Sequence, residues 1–231
     1  SLTMNNCVLK EGSVIHEGTS ANGTGGLIGA VNMASKAGNR LTMEGCYAAG
    51  QVMGSGNVGG LIGFVANSVL VTEITKCGVM EQMTVTAGKQ AAGGLIGYIN
   101  TKKDASTVVK SCFADAKVFV SEPNTGLYAG GLIGWMATAG ILKDSYATGT
   151  VSGKTYVGGA VGYLSGDAAA EHLFAANEIS CKEAGNTFGG LVGNMAGNAA
   201  LKNSVALGAS VDGGKSGTIM NRIAGKIAKP E

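Results

Sequence analysis

A short string, Gly-Gly-Leu-Ile-Gly, recurs through the 231-residue chain and constrains its fold more than any other feature. It stands unchanged at 25–29, 59–63, 93–97 and 130–134, with variants at 158–162 and 189–193 and a degenerate copy at 222–225. The last glycines of successive copies are 34, 34, 37, 28, 31 and 32 residues apart. A repeat of this period is typical of solenoids, propellers and repeat arrays, in which each unit stacks on its neighbours.

The marker divides the chain into seven repeats of roughly 33 residues, which we expect to form one domain. Their approximate bounds are 1–36, 37–70, 71–105, 106–139, 140–169, 170–198 and 199–231. The last repeat is degenerate and rich in Lys and Arg, so we predict that it caps the array. Residues 2–4 repeat the sequence of residues 41–43, so the chain opens inside a repeat. We therefore expect it to be a piece of a longer protein.

Each repeat contains short, β-branched runs bounded by Gly, Asn or Ser, a pattern that predicts strands. No segment keeps a helical period long enough to supply crossover helices. A repeat of this kind cannot bury its own apolar face and must stack on the next one. The sequence therefore predicts an all-β fold, a parallel β-solenoid with one repeat per turn. At a strand spacing of ~4.8 Å, seven turns give a rod about 34 Å long.

Two kinds of column mark the predicted core. The repeat aligns Leu27, Leu61, Leu95, Leu132, Ala160, Leu191 and Ile223 in one column, and Val31, Val65, Ile99, Met136, Leu164, Met195 and Ile227 in another. A second landmark upstream is Cys or Ser in six repeats, at Cys7, Cys46, Cys77, Cys112, Ser145 and Ser204, and we place it near Ala175 or Ala176 in repeat six. In each repeat an apolar residue lies three positions before this landmark, and in repeat six we assign that position to Leu173. We expect inert, mostly buried thiols, because Ser replaces Cys in the same column.

Four consecutive repeats place an aromatic residue directly after the last glycine, at Phe64, Tyr98, Trp135 and Tyr163. Successive side chains along a strand point to opposite faces, so we expect these residues to face away from the second core column. Two interpretations stay open. The rings form an outward surface that binds a sugar or another domain, or both faces of the strand are covered and the rings belong to the core.

Composition excludes several functional classes. Lys and Arg number 17 and Asp and Glu 15, and only two residues are Arg, so we expect no nucleic-acid partner. No apolar run is long enough to span a bilayer, so we expect no membrane insertion by this segment. His16 and His172 lie far apart and outside any zinc spacing, and the five Asp residues share no repeat column. We therefore predict no catalytic site, no metal and no cofactor.

The repeated Gly-Gly-Leu-Ile-Gly, with its upstream Asn/Ser-Cys-Tyr-Ala-like strand, resembles the GLUG-motif family of bacterial surface and secreted proteins. That family includes non-catalytic regions of IgA-specific metallopeptidases. The resemblance covers all seven copies and weakens in the last two. It implies an extracellular or bacterial cell-surface location.

The main hypothesis is a non-enzymatic stalk or adhesion module that contacts a host glycan, a glycoprotein or adjacent domains of the same chain, through Phe64, Tyr98, Trp135 and Tyr163. An alternative is an accessory region that holds the substrate of a large secreted protease such as an IgA-type metallopeptidase. A weaker alternative is a β-helical carbohydrate-active enzyme, which needs a polar cluster that the repeat alignment lacks.

Overall fold

The computed structural model describes residues 1–16, 23–33, 38–66, 69–121, 128–137, 139–181, 187–208, 210–212 and 219–228. These residues form 27 strands, all paired in parallel. The first four turns contain β1 (Leu2–Asn5), β2 (Val8–Ile15), β3 (Gly23–Gly25), β4 (Ile28–Val31), β5 (Arg40–Glu44), β6 (Tyr47–Gly54), β7 (Asn57–Gly59), β8 (Ile62–Val65), β9 (Val71–Thr75), β10 (Gly78–Ala87), β11 (Ala91–Gly93), β12 (Ile96–Asn100), β13 (Ser106–Lys110), β14 (Phe113–Val120), β15 (Tyr128–Gly130) and β16 (Ile133–Ala137). The last three contain β17 (Ile141–Gly153), β18 (Tyr156–Gly158), β19 (Val161–Leu164), β20 (Ala169–Cys181), β21 (Thr187–Gly189), β22 (Val192–Ala196), β23 (Ala200–Lys202), β24 (Val205–Ala206), β25 (Val211–Asp212), β26 (Ile219–Asn221) and β27 (Ala224–Ala228).

The strands stack into four faces of a parallel β-solenoid, as the repeat predicts. Face A contains β1, β5, β9, β13, the first part of β17 and of β20, and β23. Face B contains β2, β6, β10, β14, the second part of β17 and of β20, β24 and β25. Faces C and D are seven-stranded sheets, β3-β7-β11-β15-β18-β21-β26 and β4-β8-β12-β16-β19-β22-β27. The first and last turns stack on one neighbour only, so about five turns are flanked on both sides.

A backbone corner between faces A and B explains the Cys/Ser landmark. The residue before the landmark adopts a positive φ in every turn, at Asn6, Gly45, Lys76, Ser111, Asp144, His172 and Asn203. The landmark side chain then donates to the carbonyl two residues upstream, at 3.2 Å from Cys77 Sγ to Thr75 O and 2.7 Å from Ser145 Oγ to Lys143 O. It also accepts from the previous turn, at 3.1 Å from Cys112 N to Ser145 Oγ. The column therefore selects small side chains that both donate and accept.

The register of the sixth turn corrects the sequence alignment. Leu173 pairs with Ser145 and so occupies the landmark position that was expected near Ala175 or Ala176. Ala170 pairs with Leu142 and fills the apolar column that was assigned to Leu173. Leu173 has no side-chain donor, but its N–H still donates to Ser204 Oγ at 3.0 Å. The corner is thus maintained by the backbone where the side-chain chemistry is lost.

Both predicted core columns are buried through the inner turns, and Leu61, Leu95 and Leu132 are fully inaccessible. The prediction is wrong in the last turn, where Ile223 is 48% and Ile227 69% exposed. Within the described residues, the last turn pairs only with the sixth turn. Parts of the predicted cap, residues 213–218 and 229–231, lie outside the described residues.

The repeated glycines allow faces C and D to approach each other closely. A Cβ added to Gly97 would lie 2.6 Å from the carbonyl oxygen of Gly63 and 2.6 Å from the backbone nitrogen of Val58. Gly134 and Gly162 are confined by backbone atoms in the same way. Since backbone atoms cannot rotate aside as a side chain can, only glycine fits at these positions. The motif thus sets the spacing between the two faces and positions the aromatic residues that follow it.

Candidate functional site

The four predicted aromatic residues lie in register on neighbouring strands of face D. Tyr98 pairs with both Phe64 and Trp135, and Trp135 pairs with Tyr163. The ring centroids are 5.3 Å apart between Phe64 and Tyr98, 4.2 Å between Tyr98 and Trp135, and 5.7 Å between Trp135 and Tyr163. We call these four residues the D ladder. All four side chains are half-buried.

Two tyrosines of face C extend the D ladder and were missed in the sequence. Tyr128 lies 5.0 Å from Trp135 and 5.2 Å from Tyr163, and Tyr156 lies 5.3 Å from Tyr163. Tyr128 and Tyr156 also stack on each other at 5.6 Å. We call the D ladder together with Tyr128 and Tyr156 the six-ring cluster. The sequence signal was the position two residues before the Gly-Gly pair, which is Tyr in both of these repeats.

The stacking decides which parts of the rings are available to a partner. The Tyr98 and Trp135 planes are 11° apart and the Phe64 and Tyr98 planes 29° apart, so these rings turn their faces towards each other. A stacked ring presents mainly its edge to the outside. The Trp135 indole N–H is also used, because it donates to Ser165 Oγ at 3.1 Å. Ring edges and tyrosine hydroxyls are therefore the contact groups of the cluster.

The hydroxyls of Tyr98, Tyr128 and Tyr163 stay neutral over a wide pH range. Burial, and to a lesser extent the nearby Tyr128, raises the pKa of Tyr98 to about 12. Burial also raises the pKa of Tyr128 and of Tyr163. Neutral phenols act as hydrogen-bond donors and acceptors, and no proton transfer near neutral pH is expected of them. Neutral hydroxyls that donate and accept hydrogen bonds are suited to binding a polar partner.

A second aromatic column lies on face B, directly after the Cys/Ser landmark. It consists of Val8, Tyr47, Gly78, Phe113, Tyr146, Phe174 and Val205, which pair in register, and we call it the B ladder. Phe113 and Tyr146 stack at 5.4 Å and 12°. Gly78 makes room for the Phe113 ring, which a Cβ there would strike, and Phe113 approaches Tyr47 to 6.1 Å across it. Tyr146 is 45% exposed.

Charged side chains pair between turns along the A–B corner. Lys76 Nζ lies 2.8 Å from Glu44 Oε1, and Asp144 lies 3.9 Å from Lys110 Nζ and 3.1 Å from His172 Nδ1. These pairs are largely solvent-exposed, so each contributes little to the stability of the fold. Within the described ranges, no three His, Cys, Asp or Glu side chains come together in a way that would hold a metal ion.

The thiol column is confirmed as mostly buried. Cys46, Cys77 and Cys112 are buried free thiols, and Cys7, on the first turn, is partly exposed. Burial raises the pKa of Cys77 to about 12 and that of Cys112 to about 11. A raised pKa lowers the thiolate fraction, and thiolate is the reactive species. The hydrogen bonds that these thiols donate to the carbonyl two residues upstream support the corner.

Comparison with known proteins gives two matches. Residues 125–152 match the family model of the GLUG motif, a segment that spans β15, β16 and most of β17. Halomucin of Haloquadratum walsbyi is 34% identical over 163 residues, which is 67% of this chain and 2% of halomucin. No solved structure matches the chain significantly. In the part of the chain that the structure describes, no helix is long and apolar enough to cross a membrane. The motif match at residues 125–152 and the recurrence of the same structural unit from turn to turn show that the chain carries the GLUG motif and repeats its structural unit.

Proposed function

We propose that the chain is a non-enzymatic repeat module of a secreted or cell-surface protein, where it acts as a stiff spacer and presents an adhesive surface. The observation that carries the proposal is the in-register stacking of turn on turn along four faces. Each inner turn is hydrogen-bonded to two neighbours on every face, so bending the rod would break several ladders at once. Such an element holds a fixed distance between whatever lies at its two ends.

The proposed location rests on the GLUG motif, and the similarity to halomucin covers two thirds of this chain. Only 2% of halomucin is matched, so the proposal takes from it the repeat alone, and the setting outside the cell rests on the resemblance to the GLUG-motif family. A bacterial origin is not part of the proposal, since this relative comes from an archaeon.

The six-ring cluster is the proposed adhesive surface, and a glycan or glycoprotein is its proposed partner. Tyrosine supplies apolar ring edges and a hydroxyl that donates and accepts, a combination that is common at recognition surfaces. The half-buried rings are held by their neighbours, so little side-chain entropy would be lost on binding. Because the ring faces are occupied by other rings, we expect contacts to hydroxyl-rich edges of a sugar instead of stacking on its apolar face.

The absence of catalysis is proposed from how the acidic groups are used. Asp115 accepts from the Gln82 N–H at 3.2 Å and from Thr148 Oγ1 at 3.3 Å, and Asp144 pairs with Lys110 and His172. These carboxylates thus support bulges and corners of the solenoid. General acid–base catalysis needs such groups to face a substrate together.

A glycan array tests the adhesive role. The wild-type chain should bind a subset of immobilised glycans. Tyr128→Ser/Tyr156→Ser should weaken that binding at least ~10-fold, which corresponds to a loss of about 1.4 kcal/mol of binding free energy. The matched control is Tyr146→Ser/Phe174→Ser on the B ladder, which should bind as the wild type does. Failure of the wild type to bind glycans or glycoproteins would contradict adhesion. Loss of binding in the control alone would move the surface to the B ladder.

Antibody labelling of the source cells tests the location. Intact cells, or their culture medium, should carry the antigen before permeabilisation. Labelling that requires permeabilised cells and leaves the medium free of antigen would contradict a secreted or surface protein. A cytoplasmic enzyme serves as the control for leakage.

A further inference from the structure

One polar side chain lies in the interior of the solenoid with neither of its amide atoms paired. Asn177 belongs to β20, on face B of the sixth turn, and is 1% exposed. Among the described residues, neither its Oδ1 nor its Nδ2 has a hydrogen-bond partner. A buried acceptor and a buried donor that stay unpaired would cost the full desolvation penalty of both groups. Such an amide calls for a partner that the protein groups around it do not supply.

The column that holds Asn177 is small or apolar in the preceding turns. In register, Met83 pairs with Ala116, Ala116 with Gly149, and Gly149 with Asn177. Gly149 has no side chain, so the turn next to Asn177 leaves room for the amide. A Cβ on Gly131, at the Gly-Gly corner between faces C and D, would lie 3.0 Å from Asn177 Nδ2. The amide therefore extends from face B across the interior towards the C–D corner.

A small cavity adjoins the amide between the sixth and seventh turns. Its walls include Asn177 and Ile179 on face B, Gly190 at the C–D corner and Gly208 of the seventh turn. A Cβ on Gly208 would strike the Asn177 carbonyl oxygen, so the seventh turn lies directly against Asn177. The cavity leaves about 10 Å³ for the centre of a water molecule. One buried water needs ~10–15 Å³ by this measure, so the cavity has room for one water and for no larger ligand.

We propose that this cavity is a binding site for one internal water molecule, with the Asn177 amide as its main ligand. A primary amide carries an acceptor and a donor side by side, so one water can donate to Oδ1 and accept from Nδ2 at once. Its remaining hydrogen bond goes to the backbone of the cavity wall, which gives the ~3 bonds of a typical buried water. The water joins the sixth turn to the seventh. This site does not depend on the proposed adhesive role.

Magnetic relaxation dispersion of water oxygen-17 tests the proposal, because it counts the long-lived internal waters of a protein in solution. Asn177→Leu keeps the shape of the side chain and removes both polar atoms, so this variant should hold one long-lived water fewer than the wild type. The matched control is Asn198→Leu, an exposed amide that donates to Asp167 at 2.9 Å. Surface waters exchange too fast to be counted, so the control should keep the wild-type number.

Circular dichroism checks that each variant folds. If Asn177→Leu does not fold, Asn177→Met replaces it, since Met83 occupies the same column in the third turn. A crystal structure of the wild type gives a second readout, in which a water oxygen should lie within hydrogen-bond distance of the Asn177 amide. An equal number of long-lived waters in the wild type and the folded Asn177 variant would overturn the proposal. An equal loss in the Asn198 control would overturn it as well.

Discussion

At the scale of single residues, the Cys/Ser column shows how a backbone corner restricts side-chain choice. The positive φ before each landmark turns the chain, and the landmark side chain then bonds to the carbonyl upstream of the turn. Thiol and hydroxyl both do this, so Ser145 and Ser204 replace Cys without loss of the contact. The pKa values of the buried thiols are raised because the corner lies against the core.

Alkaline pH should destabilise the protein through these thiols. Below pH 9 both the native and the unfolded chain hold the proton, and the stabilisation is complete. Between pH 9 and about 12 the unfolded chain loses the Cys77 proton while the native chain keeps it, so the free energy of unfolding falls as pH rises. At about pH 10.5, Cys77 and Cys112 should each contribute on the order of 1–2 kcal/mol of the loss.

Urea unfolding of the wild type and of Cys77→Ser/Cys112→Ser at about pH 8 and about pH 10.5 measures this effect. At the lower pH the variant should have nearly the same free energy of unfolding as the wild type. At the higher pH its free energy of unfolding should fall by less than that of the wild type. Tyr98 titrates in both proteins, so its contribution cancels. An equal loss in the two proteins would show that the buried thiols do not cause the alkaline sensitivity.

At the scale of elements, the contact between faces C and D depends on glycine. The motif glycines lie where backbone atoms of an adjacent strand or turn approach a Cβ position more closely than a real Cβ allows. The repeat therefore specifies a spacing between two sheets as well as a strand pattern. The same spacing brings Tyr128 of face C next to Trp135 of face D.

Gly97→Ala should destabilise the protein by about 3 kcal/mol or more, because its Cβ would strike the backbone of Gly63 and Val58. Gly12→Ala is the matched control. Its Cβ would lie 3.4 Å from the flexible Leu9 Cδ1, so we expect a change within ~1 kcal/mol. Thermal and urea unfolding measure both. Similar losses in the two variants would contradict a special constraint at the C–D contact.

At the scale of the whole molecule, the solenoid is a stack in which stability decreases towards its ends. Inner turns are hydrogen-bonded on both sides, and the last turn has only the short strands β23, β24 and β25 on faces A and B. The free energy of such an array is roughly a sum over turns and the interfaces between them. Terminal turns, with one interface each, open most readily.

Hydrogen exchange should follow this order along the rod. Amides of inner turns, such as those of Leu95 and Leu132, should exchange slowest, and those of the last turn, such as Ile223, fastest. Far-UV circular dichroism of the same sample should show β-structure and little helix. Uniform protection from the first turn to the last would contradict a stack with weak ends.

The sequence alone determined the period, the parallel solenoid, the core columns of the inner turns, the buried thiol column and the register of the D ladder. These features repeat locally, so each copy aligns the others. The tertiary structure decided the rest. The positive-φ corner between faces A and B placed Leu173 at the landmark position. The closeness of faces C and D brought Tyr128 and Tyr156 to the D ladder, and stacking turned the ring faces towards each other. Such properties arise between turns and faces, where repeat alignment carries no information on distance or orientation.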